Sequence, residues 1–234
     1  MNEYPFFMLT ILLWSFALPS ILLRKDMRPH LLRAAVLSLP FAFTEALFIP
    51  QYWDPPFLFD LQNKIGFGLE DLLFVSGLGV AALGIPALVL NLALKNRSSA
   101  VMEGIFSKRS LAALSAALIL CFVSVAISKT GFPAIYAATG VMALSYFAAL
   151  WVRRDLAQVS LMSFLLGIVS YSLICAALEA IVPGVFTKYW HTEKLFNAAL
   201  AGIPLEELLY GGLSFCLAVS LYPLLFDLKW EKKH

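Results

Sequence analysis

Charged residues are scarce in this sequence: 14% of the chain is Asp, Glu, Lys or Arg, whereas 61% is hydrophobic. Soluble proteins carry roughly 25% charged residues. This composition, with a mean hydropathy of +0.83, therefore excludes an ordinary soluble domain. The formal net charge is only +2, which does not indicate a nucleic-acid partner. We expect the lipid bilayer to surround the protein.

Cysteine is also scarce. Cys121, Cys175 and Cys216 lie in three different apolar stretches, with no Cys-x-x-Cys motif and no nearby His. Their separation favours neither a disulfide nor a metal site, so we predict that they pack as small hydrophobic residues. The sequence identifies no cofactor.

Two further absences argue against particular classes of membrane protein. A seven-helix retinal protein needs a lysine deep in a span for its Schiff base, but Lys129 lies at the end of an apolar stretch and no lysine lies deeper. A polyprenyl transferase needs Asp-rich motifs for its magnesium diphosphate. Asp54 and Asp60 match such a motif poorly, because five residues, two of them prolines, separate them.

Seven apolar stretches have about the 20 residues that a membrane-spanning helix needs. They cover residues 5–23, 31–50, 68–92, 110–128, 132–151, 157–182 and 203–226. We therefore predict an all-α integral membrane protein with seven transmembrane helices. In the first stretch the positive charges, Arg24 and Lys25, follow the apolar run, so a cleaved signal peptide is not expected.

Lysine and arginine are unevenly distributed among the loops. Most of the 17 lie in segment 24–33, loop 95–109, the pair 153–154 and the tail from residue 229. The others, Lys64, Lys129, Lys188 and Lys194, lie in the alternate loops. The positive-inside rule therefore predicts an outside N-terminus and a cytoplasmic C-terminus.

Four landmarks recur in the same order in the two halves of the chain. The first half has LLRKD (22–26), Glu45, YWD (52–54) and GFGLEDLLF (66–74), and the second has WVRRD (151–155), Glu179, YWH (189–191) and GIPLEELLY (202–210). The spacing is similar as well, since Trp53 precedes Glu70 by 17 residues and Trp190 precedes Glu206 by 16. These similarities predict an internal repeat.

Each repeat contains three spans, and the stretch 110–128 has no counterpart. We predict a three-plus-one-plus-three architecture in which residues 1–92 form the first repeat and residues 132–234 form the second repeat and tail. The linker, residues 93–131, contains the fourth span. One extra span restores the direction of the chain, so the repeats should be parallel and both acidic motifs should lie at the same side of the membrane.

Six acidic residues stand inside or at the edge of these spans, where a charge costs about 2.5–3.5 kcal/mol on insertion scales. They are Glu45, Glu70, Asp71, Glu179, Glu206 and Glu207, and none has a Lys or Arg within one helical turn. The adjacent pairs also suit the first turn of a helix, where acids complement the helix dipole and Pro204 fits the first position. Two roles therefore remain as alternatives for each pair: capping of the helix and acid–base chemistry.

Aromatic residues accompany the acids. Phe74 and Tyr210 follow the first acid of each pair by four residues and so share a helix face with it. The second acid points about 100° away. We expect one acid of each pair to face a cavity between the halves, while its neighbour caps the helix or relays protons. The Tyr-Trp pairs at 52–53 and 189–190 could stabilise a cation, although such residues are common at any membrane interface.

The duplicated Pro-x-Glu-Glu/Asp-x-x-Phe-type element, which opens a membrane helix after a Trp-containing loop, resembles the lycopene cyclase domain family. These are integral-membrane carotenoid cyclases whose two homologous halves occur as separate subunits or as one fused chain. The resemblance covers nearly the whole chain. It departs from the family pattern at Gly68, in place of Pro, at Tyr210, in place of Phe, and in both loops, which lack Trp-Gly-Phe-Asn. These departures indicate a divergent member.

The resemblance implies a reaction without net redox change. A carboxylic acid protonates the terminal double bond of lycopene, the neighbouring double bond attacks the resulting cation, and a base removes a proton. The matching positions imply that Glu206, Glu207, Glu70 and Asp71 are catalytic, without distinguishing donor from acceptor, and Glu206 is the first to test. A hydrophobic isoprenoid or carotenoid is the expected substrate. Its expected contacts are Glu45, Glu179, Tyr52, Trp53, Tyr189, Trp190, Phe74 and Tyr210.

Two other functions stay open. A small-solute transporter with parallel three-plus-one-plus-three repeats would have polar residues and helix breaks at its midplane. Pro40 and Pro86 could kink two spans, but the acids cluster at the helix ends. A non-catalytic isoprenoid-binding protein would use the same apolar interior. The sequence does not indicate an oligomeric state.

Overall fold

The computed structural model describes residues 4–97, 108–193, 195–196 and 198–233, without the side chains of residues 109, 110 and 113. Part of the basic loop 95–109 and Lys194 thus lie outside the described residues. The helices are α1 (Pro5–Leu23), α2 (Arg28–Ser38), α3 (Glu45–Phe48), α4 (Leu61–Ile65), α5 (Leu69–Val89), α6 (Lys108–Ser128), α7 (Ala134–Val152), α8 (Ala157–Ile181), α9 (Val185–Tyr189) and α10 (Leu205–Phe226). The strands are β1 (Leu92–Asn96), β2 (Ala199–Leu200), β3 (Ile203–Pro204) and β4 (Leu228–Lys232).

Six helical segments of the described chain are long and apolar enough to cross a membrane. They are Pro5–Leu23, Arg28–Phe48, Leu69–Val89, Ala134–Val152, Arg154–Ile181 and Leu205–Phe226. The protein is therefore a largely helical, multi-pass membrane protein. The apolar part of α6, Leu114–Ser128, is shorter, so a seventh span and the three-plus-one-plus-three arrangement remain predictions.

Pro40 interrupts the second span. Proline has no backbone N–H and its ring clashes with the preceding helical turn, so the α-helix ends at Ser38 and a 3₁₀ segment, Leu39–Thr44, follows. The helix resumes at Glu45, the first residue of α3. This interruption positions the Glu45 carboxyl, which is buried in the interior.

The two helices that begin with the acidic motifs form the centre of the bundle. α5 packs against α1 and α2, α10 packs against α7 and α8, and α5 and α10 contact each other. Glycine permits the close approach of α8 and α10, because a Cβ at Gly211 would lie 2.5 Å from the Cβ of Tyr171. Most residues of α5 and α10 are buried, whereas only 28% to 39% of the residues are buried in the other spans.

The chain also contains two short antiparallel sheets that the all-α prediction missed. β1 follows α5 and pairs with β4, which follows α10, while β2 pairs with β3. Leu92 lies opposite Lys232, a partner so distant in sequence that no local pattern reveals the pairing. Because β1 and β4 pair, α5 and α10 end on the same side of the bundle. We call this side the strand end and the opposite side, where α5 and α10 begin, the acidic end.

Two buried arginines at the strand end of the bundle hydrogen-bond to the first residues of β1 and β4. Arg24 donates from Nε and Nη2 to the Asp26 carboxylate and from Nη2 to the Leu92 carbonyl, at 2.5 Å. It also donates to the carbonyl of Ala87. Arg24 is buried, and its forked guanidinium can satisfy a carboxylate and two carbonyls at once.

Arg153 makes matching contacts. It donates to both Asp155 oxygens, at 2.8 and 2.7 Å, and to the Leu228 carbonyl at 3.0 Å. Leu228 is the first residue of β4, just as the partner of Arg24 is the first residue of β1. The LLRKD and WVRRD landmarks thus perform the same structural task.

Candidate functional site

The two Trp-containing loops meet at the acidic end. Trp53 and Trp190 form an isolated antiparallel bridge, in which the Asp54 N–H donates to the Tyr189 carbonyl at 3.0 Å and the His191 N–H donates to the Tyr52 carbonyl at 2.7 Å. The two indole rings lie 5.0 Å apart. Three residues in this bridge, Trp53, Trp190 and Tyr52, are buried. The bridge therefore brings together landmarks that are far apart in sequence.

Glu207 is the most extensively hydrogen-bonded acid of the site. It lies in the first turn of α10, is buried, and accepts hydrogen bonds from Tyr52 Oη at 2.6 Å, Trp190 Nε1 at 2.9 Å and Tyr171 Oη at 3.1 Å. Three donors directed at one carboxyl group suit the ionised form, which only accepts hydrogen bonds.

Tyr52 remains a donor in this network. It lies in the loop outside the spans, and burial together with the neighbouring Glu207 raises the pKa of Tyr52 well above its usual range. The phenol therefore keeps its proton at neutral pH.

A second acidic group joins two helices. Glu45 accepts a hydrogen bond from Trp53 Nε1 at 2.6 Å, and its carboxyl lies beside that of Asp71. Asp71 also caps α5 by accepting from the Gly68 N–H at 2.6 Å, and its other oxygen has no further partner within the described residues. Two ionised carboxylates buried side by side repel each other, so this arrangement favours a pair that shares one proton.

The first acid of each motif has different partners. Glu70 accepts from the Leu58 N–H at 2.6 Å, and Glu206 accepts from Tyr136 Oη at 2.8 Å. Both are buried. Tyr136 Oη in turn accepts from the Phe196 N–H at 2.9 Å. Glu70 and Glu206 thus hold neighbouring segments in place at the acidic end.

A cavity of about 50 Å³ lies beside the buried acids. Its only acidic lining residues are Glu45 and Glu207, among the residues that the structure describes. The rest of the lining is mostly aromatic: Phe6, Leu9, Phe48, Tyr52, Trp53, Phe74, Ile135, Tyr171, Trp190 and Tyr210. The site thus combines two carboxyls with electron-rich rings, which attract cations.

A larger cavity of about 180 Å³ lies along α10, next to the smaller one. Phe48 and Tyr210 line both cavities. The larger one is mostly apolar, and no Asp, Glu, Lys or Arg lines it within the described part of the chain. The acids therefore lie beside one end of an elongated apolar space.

Two residues predicted to contact substrate lie outside both cavities. Glu179 lies in the last turn of α8 and accepts from the Gly184 N–H at 2.7 Å, while the Tyr189 ring centroid lies 4.7 Å from the Lys188 ammonium. Conversely, Tyr171 was not predicted as a site residue, because it belongs to no repeated motif. In the sequence, its role is indicated only by a polar hydroxyl in the middle of an apolar span. Across the described ranges, no group of three or more His, Cys, Asp or Glu side chains is placed to hold a metal ion.

A family model described as lycopene cyclase matches residues 133–225, which include Glu206 and Glu207 but not the first acidic motif. The match confirms the resemblance to the lycopene cyclase family and is consistent with a divergent member. No curated protein and no solved structure matches the chain.

Proposed function

We propose that the protein is a lycopene cyclase-like membrane enzyme that cyclises the end of a carotenoid or related linear isoprenoid through a carbocation. The observation that carries the proposal is the shared cavity. Glu45 and Glu207, from opposite halves of the chain, line one aromatic chamber that adjoins a long apolar space. This reaction needs an acid, a base, a surface that stabilises cations and room for a hydrophobic substrate.

The Glu45–Asp71 pair is the proposed proton donor, because two buried carboxyls this close favour a shared proton. That proton adds to the terminal double bond of the substrate and leaves a tertiary cation on the adjacent carbon. The neighbouring double bond supplies the electron pair for the new carbon–carbon bond, and the ring closes with the charge on a ring carbon.

Glu207 is the proposed base. Its three hydrogen-bond donors favour the carboxylate form beside the same chamber, and a carboxylate can accept a proton. It removes a proton from the carbon next to the ring cation, and the electrons of the broken C–H bond form the ring double bond. One proton enters and one leaves, so the substrate is an isomer of the product. Phe74 and Tyr210, on the chamber wall, stabilise the cation by cation–π attraction.

Glu70 and Glu206 act in this proposal as positioning residues. Glu206 fixes Tyr136 beside the start of α10, and Glu70 fixes the loop at Leu58 beside the start of α5. The geometry therefore favours Glu207 over Glu206 as the first residue to test. A part for Glu179 and Tyr189 in substrate binding stays a prediction.

The proposal includes the repeated architecture, with repeats at 1–92 and 132–234 and a linker at 93–131. Three correspondences support it: α5 packs on α1 and α2 as α10 packs on α7 and α8, the two arginine contacts match, and β1 pairs with β4. We also propose that the strand end, which carries Arg24, Arg153, Lys229 and Lys233, faces the cytoplasm, with the N-terminus outside.

The test is expression in a lycopene-accumulating bacterium, followed by chromatography of the pigments. We expect cyclic carotenoids from the unaltered protein and from Glu193→Gln, an exposed acid beside the Trp190 loop. Glu207→Gln and Glu45→Gln should abolish the cyclic products, because each removes a titratable group and keeps the side-chain shape. Unchanged lycopene with a well-inserted protein would contradict the proposal.

A non-catalytic isoprenoid-binding protein is the second candidate, because the same apolar cavity would serve it. It predicts that lycopene co-purifies with the protein but is never cyclised. Transport of a small polar solute finds less support, since the lining is mostly apolar. Solute uptake by proteoliposomes would reveal that activity.

A further inference from the structure

We propose that the larger cavity binds the chain of the isoprenoid behind its reacting end, and that Tyr222 and Leu225 together form the floor that limits the length of this chain. The proposal takes its substrate class from the proposed function. It adds a binding site and the two residues that determine which chain lengths fit.

The lining of α10 shows the shape of the site. The helix contributes Tyr210, Ser214, Leu217, Ala218, Leu221, Tyr222 and Leu225. Steps of three and four residues place these side chains on one helical face. Fifteen residues separate the first from the last, so at 1.5 Å per residue the stripe is about 22 Å long. It extends across most of a hydrocarbon layer about 30 Å thick.

Small side chains on the facing helices create the space. Gly79 and Ala82 of α5, Ala117 of α6, Ala138 of α7 and Ala218 of α10 all lie on the wall. Larger residues at the four alanine positions would fill it. An apolar cavity of roughly 150 Å³ can stay dry and bind an apolar ligand, and this one, at about 180 Å³, is of comparable size.

Phe48 and Tyr210 lie where the larger cavity adjoins the aromatic chamber that Glu45 and Glu207 line. A chain that passes between them has its leading end beside Glu45 and Glu207. The remainder of the chain then lies along α10. No carboxylate lines the larger cavity within the described residues, so only the leading end meets an acid.

Buried polar contacts close the opposite end. Tyr222 Oη lies 3.1 Å from His30 Nδ1, and the rings meet edge to face with centroids 5.8 Å apart. The Arg33 guanidinium lies 4.8 Å from the Phe226 ring centroid behind them. All four residues are buried. A hydrocarbon chain that advanced beyond Tyr222 would have to break this hydrogen bond without replacing it, which is unfavourable.

Leu225 and Leu224 offer a matched pair of substitutions for the test. Leu225 lines the end of the cavity beside Tyr222, whereas its neighbour Leu224 is half-buried and lines neither cavity. Purified variants are equilibrated in mixed detergent micelles with lycopene and the shorter squalene. Chromatography then measures how much of each hydrocarbon the protein retains.

Leu225→Trp shortens the cavity and should lower lycopene retention relative to squalene by about tenfold, a factor within the usual range for overfilling a packed site. Leu224→Trp should behave as the unaltered protein. Leu225→Ala, which enlarges the same position, should not lower lycopene retention, and it keeps the test informative if Leu225→Trp fails to fold.

Three results would overturn the inference: equal losses of both hydrocarbons in Leu225→Trp, the same selectivity change in Leu224→Trp, or no retention of either hydrocarbon by the unaltered protein. Failure of the proposed function is a separate result. A protein that retains lycopene with the expected length selectivity, yet forms no cyclic product, would defeat the enzyme proposal and leave this binding site in place.

Discussion

Replacing Glu207 with Gln should leave the protein nearly as stable as before, whereas Glu207→Leu should destabilise it strongly. Tyr52 and Trp190 donate to Oε1 of Glu207, and Tyr171 contacts Oε2. The carbonyl oxygen of Gln can accept the first two hydrogen bonds, and its NH₂ group can donate to the Tyr171 oxygen. Leu can do neither.

The difference in stability follows from the three contacts. A buried donor that loses its acceptor costs about 1–3 kcal/mol, so Glu207→Leu should lose at least about 3 kcal/mol. For a chain of this size 1 kcal/mol corresponds to roughly 2–4 °C in Tm, which gives a decrease of at least about 6 °C. Glu207→Gln exchanges charge-assisted hydrogen bonds for neutral ones and should lose only about 1 kcal/mol.

Thermal unfolding in detergent, followed by tryptophan fluorescence, measures both variants. Trp190 itself donates to Glu207, so the signal reports on the site. Neither variant should form cyclic carotenoids. Glu193→Leu, at an exposed position, is the control and should change stability by no more than about 0.5 kcal/mol. Equal decreases in Tm for Gln and Leu would refute the three-donor arrangement.

Three further predictions concern other parts of the molecule. Gly211→Ala should destabilise the protein by about 1–3 kcal/mol and slow cyclisation, because its Cβ would displace Tyr171; unfolding and pigment assays check both effects. The hydrogen bonds from Arg24 hold the pKa of Asp26 well below its usual range. Their stabilisation is thus complete above the unfolded-state pKa of about 3.9 and is lost as pH falls through the lower folded-state pKa, so Asp26→Asn should flatten the acid limb of a stability–pH profile. Since the acids lie at one end of the cavity, a time course should show the monocyclic carotenoid before the dicyclic one.

Each of these three predictions has a result that would contradict it. Full stability of Gly211→Ala would mean that α8 and α10 do not need their close approach. An acid profile that is the same for Asp26→Asn and the unaltered protein would assign the loss to other carboxyls. Simultaneous appearance of both products, with no released intermediate, would contradict the one-ended arrangement.

Much of the fold could be predicted because bilayer-spanning helices leave a strong local pattern. Six predicted spans lie within a few residues of the observed helices, although Pro40 converts part of the second into a 3₁₀ segment. The strands β1 and β4 could not be predicted. Each has five residues, and the pairing depends on Arg24 and Arg153, which are brought to the strand end only by the packed bundle.

The sequence by itself determined where the candidate residues lie: acids rarely stand in apolar spans without a partner or a function, and their repetition identified both motifs and both Tyr-Trp pairs. Only the tertiary structure decided how these acids combine. Glu45 joins Asp71 from another helix, and Glu207 rather than Glu206 faces the aromatic chamber. Helical periodicity separates neighbouring acids by about 100°, but which direction leads inward depends on how the helices pack, and that information is not local to any motif.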